Sequence, residues 1–594
     1  MTTFRNDVRY GFRVLARSRG FVVLAILTMA VGIGIMTTVF SLIHGVLLQP
    51  LPWPEPERLV RLSETHQGAT RRLPWIMTNA AYLAWRDQPS TIEQLAAWSR
   101  RQATITGAGD AERLSYAVAT ASVFSLLQAR PLIGVTFGTE DEAAAMPLGR
   151  IILSYGLWQQ RFGGNPQVLG QSISLDGRAH TIIGVMPREF AFPDRETRAW
   201  TSFYIPPVVT PGGQDRELLM FDAMARLKPA VTPEQAAAEA TARARSGPDR
   251  GLVAMAIFGS NGPVEIAAVP ALQAITADIR RPLIMMLVAV ALLLMTAIAN
   301  VAGLQLSRAN TRQREIAIRA AIGASTRRIT QQLLAENMLL GLAGGTAGLI
   351  LTAALHRLLP SRLPADFPRL DNVVLNWSVA WFAIAITVVV GMLLGCLPAL
   401  HLRRLKLTDA LLEHGGASSG IHSRVPQARM AIMVGQIAIA CTLLIGAGLF
   451  IRSFVAMMNA DRGYRAANVL TTRVSMPDGL FTSQRRRELV DALLERARLL
   501  PGVTRIAFTT GLPLSGSETL SSFKMKSLRP PIGVEIQVST TRSVVSEEYF
   551  AAMGMRAIEG RTFNSSDTAI SPKVVVVSRS FARRYLSDKP IGDR

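Results

Sequence analysis

The chain runs to 594 residues, 49% of them hydrophobic and 18% charged, with a formal net charge of +22. That length admits several domains, and the charged fraction is low for a soluble protein. Its two cysteines, Cys396 and Cys441, both fall inside apolar runs, which excludes a disulfide framework and makes them small apolar core residues rather than ligands.

In chain order, residues 1–20 come first. Phe4, Val8, Phe12 and Leu15 recur at helical spacing beside a stripe of Arg5, Arg9, Arg13 and Arg17. This predicts an amphipathic helix lying in the membrane interface. Residues 21–48 form the first apolar run long enough to cross a bilayer, and too long for a signal-peptide core. Segment 49–280 is polar and neutral, with 22 basic and 22 acidic residues. Region 282–400 holds three more apolar runs, at 282–306, 333–359 and 377–400, joined by loops 307–330 and 360–376. A Gly/Ser-rich linker, 401–429, precedes the fifth run at 430–451, and a second polar segment fills 452–594.

Basic residues are biased between these loops. The first 20 residues carry five Arg against one Asp, loop 307–330 six Arg against Glu315 alone, and linker 401–429 five basic against two acidic residues. Loop 360–376 is balanced at two against two. Positive loops stay cytoplasmic. The N-terminus, 307–330 and 401–429 are therefore expected inside, and 49–280, 360–376 and 452–594 outside. Much of the excess charge is thereby topological and needs no nucleic acid, although 452–594 keeps 22 basic against 13 acidic residues.

The two outer segments resemble each other. Phe124-Ser-Leu-Leu127 leads to Gly134-Val-Thr-Phe137 at the spacing by which Phe550-Ala-Ala-Met553 leads to Gly560-Arg-Thr-Phe563. Ile151-Ile-Leu-Ser154 matches Val575-Val-Val-Ser578, with Pro166 and Pro590 at equal intervals beyond. Short β-branched runs bounded by Gly, Pro and Ser predict strands; 155–162 and 579–586 between them predict short helices. The expected fold is a multi-pass α-helical membrane protein with mixed α/β extracytoplasmic domains, internally duplicated. By that repeat, roughly 200 further residues with three more spans are expected beyond Arg594, making the chain a fragment.

Loop 307–330 carries the strongest candidate for mechanism. Glu315 and Arg319 are spaced as a favourable helical pair, Ile316, Ile318 and Ile322 add apolar surface, Gly323 can end one short helix and Ser325 cap the next. A compact helix–turn–helix docking surface is predicted, against the plainer alternative of a solvated positive loop. In the third span, Gly341, Gly344, Gly345 and Gly348 form two small-xxx-small frames that let helix backbones approach. Asn300 and Gln305 predict interhelical hydrogen bonds.

Other patterns are decoys. Gly416-Ala-Ser418-Ser-Gly420 sits in the linker, not at a strand-to-helix elbow, and Gly32-Ile-Gly34 lies within the first span. Leu514-Ser-Gly-Ser517 sits in an outer segment. No Gly-Lys dipeptide occurs, so the sequence holds no phosphate-cradling P-loop. The seven histidines lack metal-ligand spacing, and no nucleophile–base or paired-carboxylate pattern stands out. No catalytic, cofactor or metal site is expected, and any ATP hydrolysis falls to another subunit.

At this point a family resemblance emerges. Spans two to four, with Arg314-Glu-Ile-Ala-Ile-Arg319 and Ala321-Ile-Gly-Ala324, resemble the FtsX-like permease domain. Residues 21–62, with Leu47-Leu-Gln-Pro-Leu-Pro52 and Pro54-Glu-Pro56, resemble the start of MacB-type permeases. The chain departs from the family pattern at Gly303 and Gln305. The resemblance implies an ABC-type permease of the bacterial inner membrane, worked by a separate cytoplasmic ATPase contacting Arg314, Glu315, Arg319, Gly323 and Ala324. It implies either export, with an amphiphilic substrate or an outer-envelope partner, or a non-transporting role regulating cell-wall hydrolases or sensing an antibiotic.

Overall fold

The computed structural model describes residue 13 and residues 18–586, except 72, 88, 108, 144–148, 208–218, 248–253, 255–256, 322–325, 359–368, 370–371, 404–424, 475, 477–480, 514–518, 527–534 and 569. Its main elements are α1 (Arg19–Ile43), β1 (Leu59–His66), β2 (Ile76–Thr78), α2 (Asn79–Arg86), β3 (Ile92–Thr106), β4 (Glu112–Ala119), α3 (Ser122–Leu126), β5 (Ile133–Gly134), β6 (Arg150–Leu153), α4 (Tyr155–Phe162), β7 (Ser172–Leu175), β8 (Arg178–Val185), β9 (Thr197–Ser202), β10 (Met220–Leu227), α5 (Pro233–Ser246), β11 (Val264–Pro270), α6 (Ala277–Ala321), α7 (Thr326–Leu358), α8 (Trp377–Arg403), α9 (Val425–Met458), α10 (Ser483–Arg498), β12 (Thr519–Lys526), β13 (Glu535–Arg542), α11 (Tyr549–Ala552) and α12 (Arg579–Tyr585). Two compact units result, a helical one (Met1–Leu51, Ile275–Ala460) and an α/β one (Pro52–Ala274, Asp461–Arg594).

Among the described residues, five helical stretches are long and apolar enough to cross a membrane: Arg19–Leu48, Ala277–Gln305, Thr330–Leu358, Trp377–Cys396 and Met433–Met458. Ala25, Met29 and Ile33 of α1 pack with Leu294 and Val301 of α6, Leu340 of α7, and Val390 and Leu394 of α8. A second cluster joins Val39, Ile43 and Val46 to Leu283 and Val290.

Three expectations change here. Loop 307–330 is helical up to Ala321 and again from Thr326, but these are the ends of long helices and not separate short ones: α6 runs unbroken to Ala321. Between 307 and 321 the sequence is Ala, Ile, Arg, Gln and Glu with few poor helix formers and neither Gly nor Pro, so nothing breaks the helix. The fifth helix likewise starts at Val425 rather than 430. Cys396 and Cys441 are free and exposed, not core. On an apolar helix that faces hydrocarbon, a small apolar side chain needs no protein neighbour. The predicted N-terminal amphipathic helix lies outside the described residues apart from Arg13.

In the α/β unit, an eleven-stranded mixed sheet has the order β11-β1-β10-β3-β4-β9-β6-β8-β5, with β2 on β10 and β7 bridging β3 and β8. Pairs β4–β9 and β6–β8 are parallel; the remaining pairs in this sheet are antiparallel. Alternation along β1, β3 and β10 sends Val60, Leu62, Leu95, Ala97, Ala223 and Ala225 to one face, under Tyr82 and Trp85 of α2 and the Ala236/Ala240/Ala244 stripe of α5. A second cluster seats Leu157 and Trp158 of α4 on Ile105, Leu114, Ile151, Leu153 and Val185.

Residues 461–594 repeat local geometry found in 52–274. Thr120 N donates to Ala97 O (3.0 Å) while Ala97 N donates to the Thr120 hydroxyl (3.0 Å); Ser546 N and Phe508 O (2.9 Å), with Phe508 N and the Ser546 hydroxyl (2.8 Å), do the same. Phe124 meets Phe137 edge-on and Phe550 meets Phe563 at a tilt, with ring centroids 5.7 and 5.9 Å apart. Gly134 and Gly560 both take φ near +75°, at +78° and +73°. Asp141 accepts from Gly138 N, and Asp567 from Asn564 N, each at 3.0 Å. Ser154 and Ser578 cap α4 and α12 through Leu157 N and Phe581 N, each at 3.2 Å. One predicted strand does not form: residues 574–577 have no regular secondary structure, with Val575 81% exposed. Its counterpart β6 is held between β8 and β9, and 574–577 has no such ladder partners among the described residues.

A half-buried carboxylate ties α5 to the start of β3. Glu239 accepts from Ser90 N (2.8 Å), Thr91 N (2.9 Å) and the Thr91 hydroxyl, and pairs with Arg243 at 3.0 Å. Burial pushes its pKa up, but the hydrogen bonds from Thr91 and Ser90 outweigh it and hold it at about 2. Because the folded pKa lies below the unfolded one, this stabilisation is present above the ordinary carboxylate range and lost as pH falls through about 2. Glu239→Gln should therefore cost about 2 kcal/mol at neutral pH. It should also flatten the loss of stability between about pH 4.5 and pH 2. Thermal melts of the detergent-solubilised chain across that range check this; an unaltered acid limb contradicts it.

Candidate functional site

Helix α6 is 45 residues long, and its apolar stretch ends at Gln305. At 1.5 Å per residue, Arg314, Glu315 and Arg319 lie about 13–21 Å beyond that end. Helix α7 begins at Thr326, ahead of its own apolar stretch at Thr330. The two helices thus project past the apolar layer as the arms of a hairpin, and a helical arm is stiff where a solvated loop is not. Glu315 and Arg319 stand one turn apart on α6. Gly323 and Ala324 lie outside the described residues.

The base of that hairpin is packed through glycine. The two frames in α7 face different neighbours. Gly341 and Gly345 face α8, where a Cβ on Gly341 would come 3.1 Å from Gly391 Cα and one on Gly345 would collide with Thr387. Gly344 and Gly348 face α1, where added Cβ atoms would come 2.7 Å from Met29 Cβ and 3.1 Å from Gly34 N. The Gly34 carbonyl accepts from the hydroxyls of Thr38 (2.8 Å) and Thr352 (3.0 Å), the second crossing from α7 to α1. Hydrocarbon solvates apolar side chains as well as a neighbouring helix does, so backbone approach and such hydrogen bonds hold the bundle.

Polar side chains concentrate toward the hairpin end of the bundle. Gln305 of α6 donates to Asn337 Oδ1 of α7, and Gln436 of α9 donates to Asn300 Oδ1 of α6 at 3.1 Å. Next to Asn337, Glu336 is buried, and its carboxylate accepts from Gln332 at 3.3 Å. Sequence reasoning did not single out Glu336, although an acid inside an apolar run is a functional signal. Among the described residues, no group of His, Cys, Asp and Glu is arranged to hold a metal ion.

Apolar helices that bury small residues against each other, with charged helical extensions and a mixed α/β unit on the same chain, describe an integral membrane protein. The model of the MacB-like periplasmic core domain matches residues 22–243 and 430–594, and that of the FtsX-like permease C-terminal domain matches residues 287–407. The chain belongs to the MacB/FtsX-like family of ABC-type permeases. It is 26% identical over 283 residues to the pyoverdine export ATP-binding/permease protein PvdT of Pseudomonas syringae pv. tomato, covering 47% of this chain and 40% of that one. It is 34% identical over 118 residues to the macrolide export ATP-binding/permease protein MacB 1 of Yersinia pestis bv. Antiqua, covering 19% of this chain and 16% of that one. The chain thus spans less than half the length of these curated relatives. A solved structure, the periplasmic region of MacB from Actinobacillus actinomycetemcomitans, aligns over 41% of this chain and 97% of that one at 12% identity and a TM-score of 0.27. So low a score adds nothing to the assignment.

The glycine geometry predicts a compensated pair. Gly345→Ala should destabilise the bundle by about 1–3 kcal/mol through overpacking. Adding Thr387→Gly, which removes the colliding side chain, should restore most of the loss. Thermal melts of the two variants in detergent decide it: equal destabilisation of the single and double variants would mean that the α7–α8 approach is not set by this contact.

Proposed function

We propose that this chain is the permease of an ATP-driven mechanical transmission system in a bacterial inner membrane, crossing the bilayer several times with its N-terminus in the cytoplasm. A separate ATPase docks on the hairpin through Arg314, Glu315, Arg319, Gly323 and Ala324. Its nucleotide cycle moves α6 and α7, and the movement reaches the extracytoplasmic α/β segments. The observation that carries this reading is the hairpin itself: two continuous helices extend the charged stretch beyond the apolar layer while anchored in a glycine-packed bundle. A push on its tip moves helices rather than deforming a loop.

No Gly-Lys dipeptide occurs in this sequence, so on this reading nucleotide is bound outside these 594 residues. The two relatives are named as ATP-binding/permease proteins. Both names also describe export, which favours export over the alternative of regulating cell-wall enzymes. Internal duplication is supported by the two separate matches to one family model and by the matching hydrogen bonds around Thr120 and Ser546. On this reading 49–280 and 452–594 are two core domains, 282–400 is the permease domain and 401–429 the linker. Much of the excess positive charge then follows from membrane topology and needs no nucleic-acid partner, while the 22 basic against 13 acidic residues of 452–594 fall outside that account.

Charge reversal tests the docking surface. Arg314→Glu with Glu315→Arg should abolish recovery of an ABC ATPase with the full-length protein from native membranes, while the variant still inserts and melts as the unaltered protein does. Recovery of the same ATPase in undiminished amount would sink the assignment of these residues.

A further inference from the structure

The end of α1 nearest the α/β segment is held in a specific way. After Ile43 the helix widens into one π turn, His44–Leu48, and the chain leaves extended at Gln49. Helix ends leave carbonyls without intrahelical partners. Here three nearby carbonyls converge on one guanidinium from a segment more than 300 residues away. Arg369 Nη1 donates to Val46 O at 3.0 Å and Gln49 O at 2.7 Å, and Nη2 donates to Pro50 O at 2.8 Å. With its amide turned, Asn372 accepts from Nη2 at 2.9 Å and Nε at 3.2 Å. Arg369 takes a left-handed backbone conformation, φ +57°, uncommon for a non-glycine residue.

The residues that follow continue the grip. The Asn372 backbone lies so close to Gly45 that a Cβ there would be 2.5 Å from Asn372 O. The Ser41 hydroxyl donates to Val374 O at 3.4 Å. Asn376 sits 3.5 Å from the His44 ring and, through Oδ1, accepts from Val379 N in the first turn of α8 at 3.0 Å. One short segment therefore both starts α8 and holds the end of α1. Val46, Gln49 and Pro50 are the last residues before the chain enters the α/β unit at Pro52.

We propose that Arg369 is a positioning residue for transmission: it makes the end of α1 move with α8, so that displacement of the helical unit is delivered to the covalent entry of the α/β unit. This rests on the transmission reading above. A planar fork of five donors suits several carbonyls at once, whereas a lysine ammonium is a point charge that cannot span them. Arg369→Lys is therefore not conservative here.

Amide exchange of the full chain in lipid nanodiscs tests the grip directly. Arg369→Ala should speed exchange of Gly45–Leu51 by about tenfold, through loss of charge-assisted hydrogen bonds and local opening. Arg369→Lys should also speed it, by less, and serves if the alanine variant does not fold. Unchanged exchange in both variants overturns the proposal. The second readout uses the ATPase recovered with the protein. On adding Mg-ATP, exchange should change both in α7 and at Gly45–Leu51 in the unaltered chain. In Arg369→Ala the α7 response should persist and the Gly45–Leu51 response should vanish, which a merely stabilising residue would not produce. A Gly45–Leu51 response that survives in the variant also overturns it. If no ATPase is recovered, the transmission reading fails, and the nucleotide-free arm still decides whether Arg369 holds the helix end.

Discussion

In hydrocarbon, helices are not driven together by the avoidance of water, so the bundle depends on how closely their backbones can approach. In this chain that approach is concentrated on α7. Gly344 and Gly348 admit α1 on one side, and Gly341 and Gly345 admit α8 on the other. Thr352 adds a hydrogen bond from α7 to the Gly34 carbonyl. The helix at the centre of the bundle is therefore also one arm of the protruding hairpin.

That arrangement links the two ends of the helical unit. Near the hairpin, the bundle is held by amide pairs, Gln305 with Asn337 and Asn300 with Gln436, and it buries Glu336. Near the α/β segment, Arg369 closes over the carbonyls of α1. The middle is apolar and tightly fitted. Close-packed interiors pass displacement on rather than absorbing it. Within the α/β unit the long strand β3 is paired with β10, β4 and β7 and covered by α2 and α5.

The sequence reveals features that depend on composition along a single stretch. Five apolar runs of spanning length correspond to five long helices, and the run before Ser154 and the stretch from Tyr155 to Phe162 fold as a strand and a helix. The glycine frames are visible as spacing, but spacing does not say which neighbour each frame meets. Features that depend on distant partners are hidden. Arg369 is one of two basic residues in a balanced loop, and its acceptors lie more than 300 residues earlier. Cys396 looks like a core residue because its run is apolar, yet in a bilayer an apolar run faces lipid as readily as protein. The helical character of 307–321 is legible in its residues, but its continuity with the preceding apolar run is not, because local composition does not say whether a helix before Gly323 is short or the end of a long one.

Topology is the premise on which this account stands, and labelling measures it. In a chain lacking Cys396 and Cys441, a single cysteine is placed either at Arg314 or at Gln171, and intact spheroplasts are treated with a membrane-impermeant maleimide. The account predicts that the Gln171 position reacts in intact spheroplasts and the Arg314 position only after lysis. Reaction of the Arg314 position from outside, with Gln171 protected until lysis, would place the hairpin on the wrong side of the membrane for any cytoplasmic ATPase and would contradict the account.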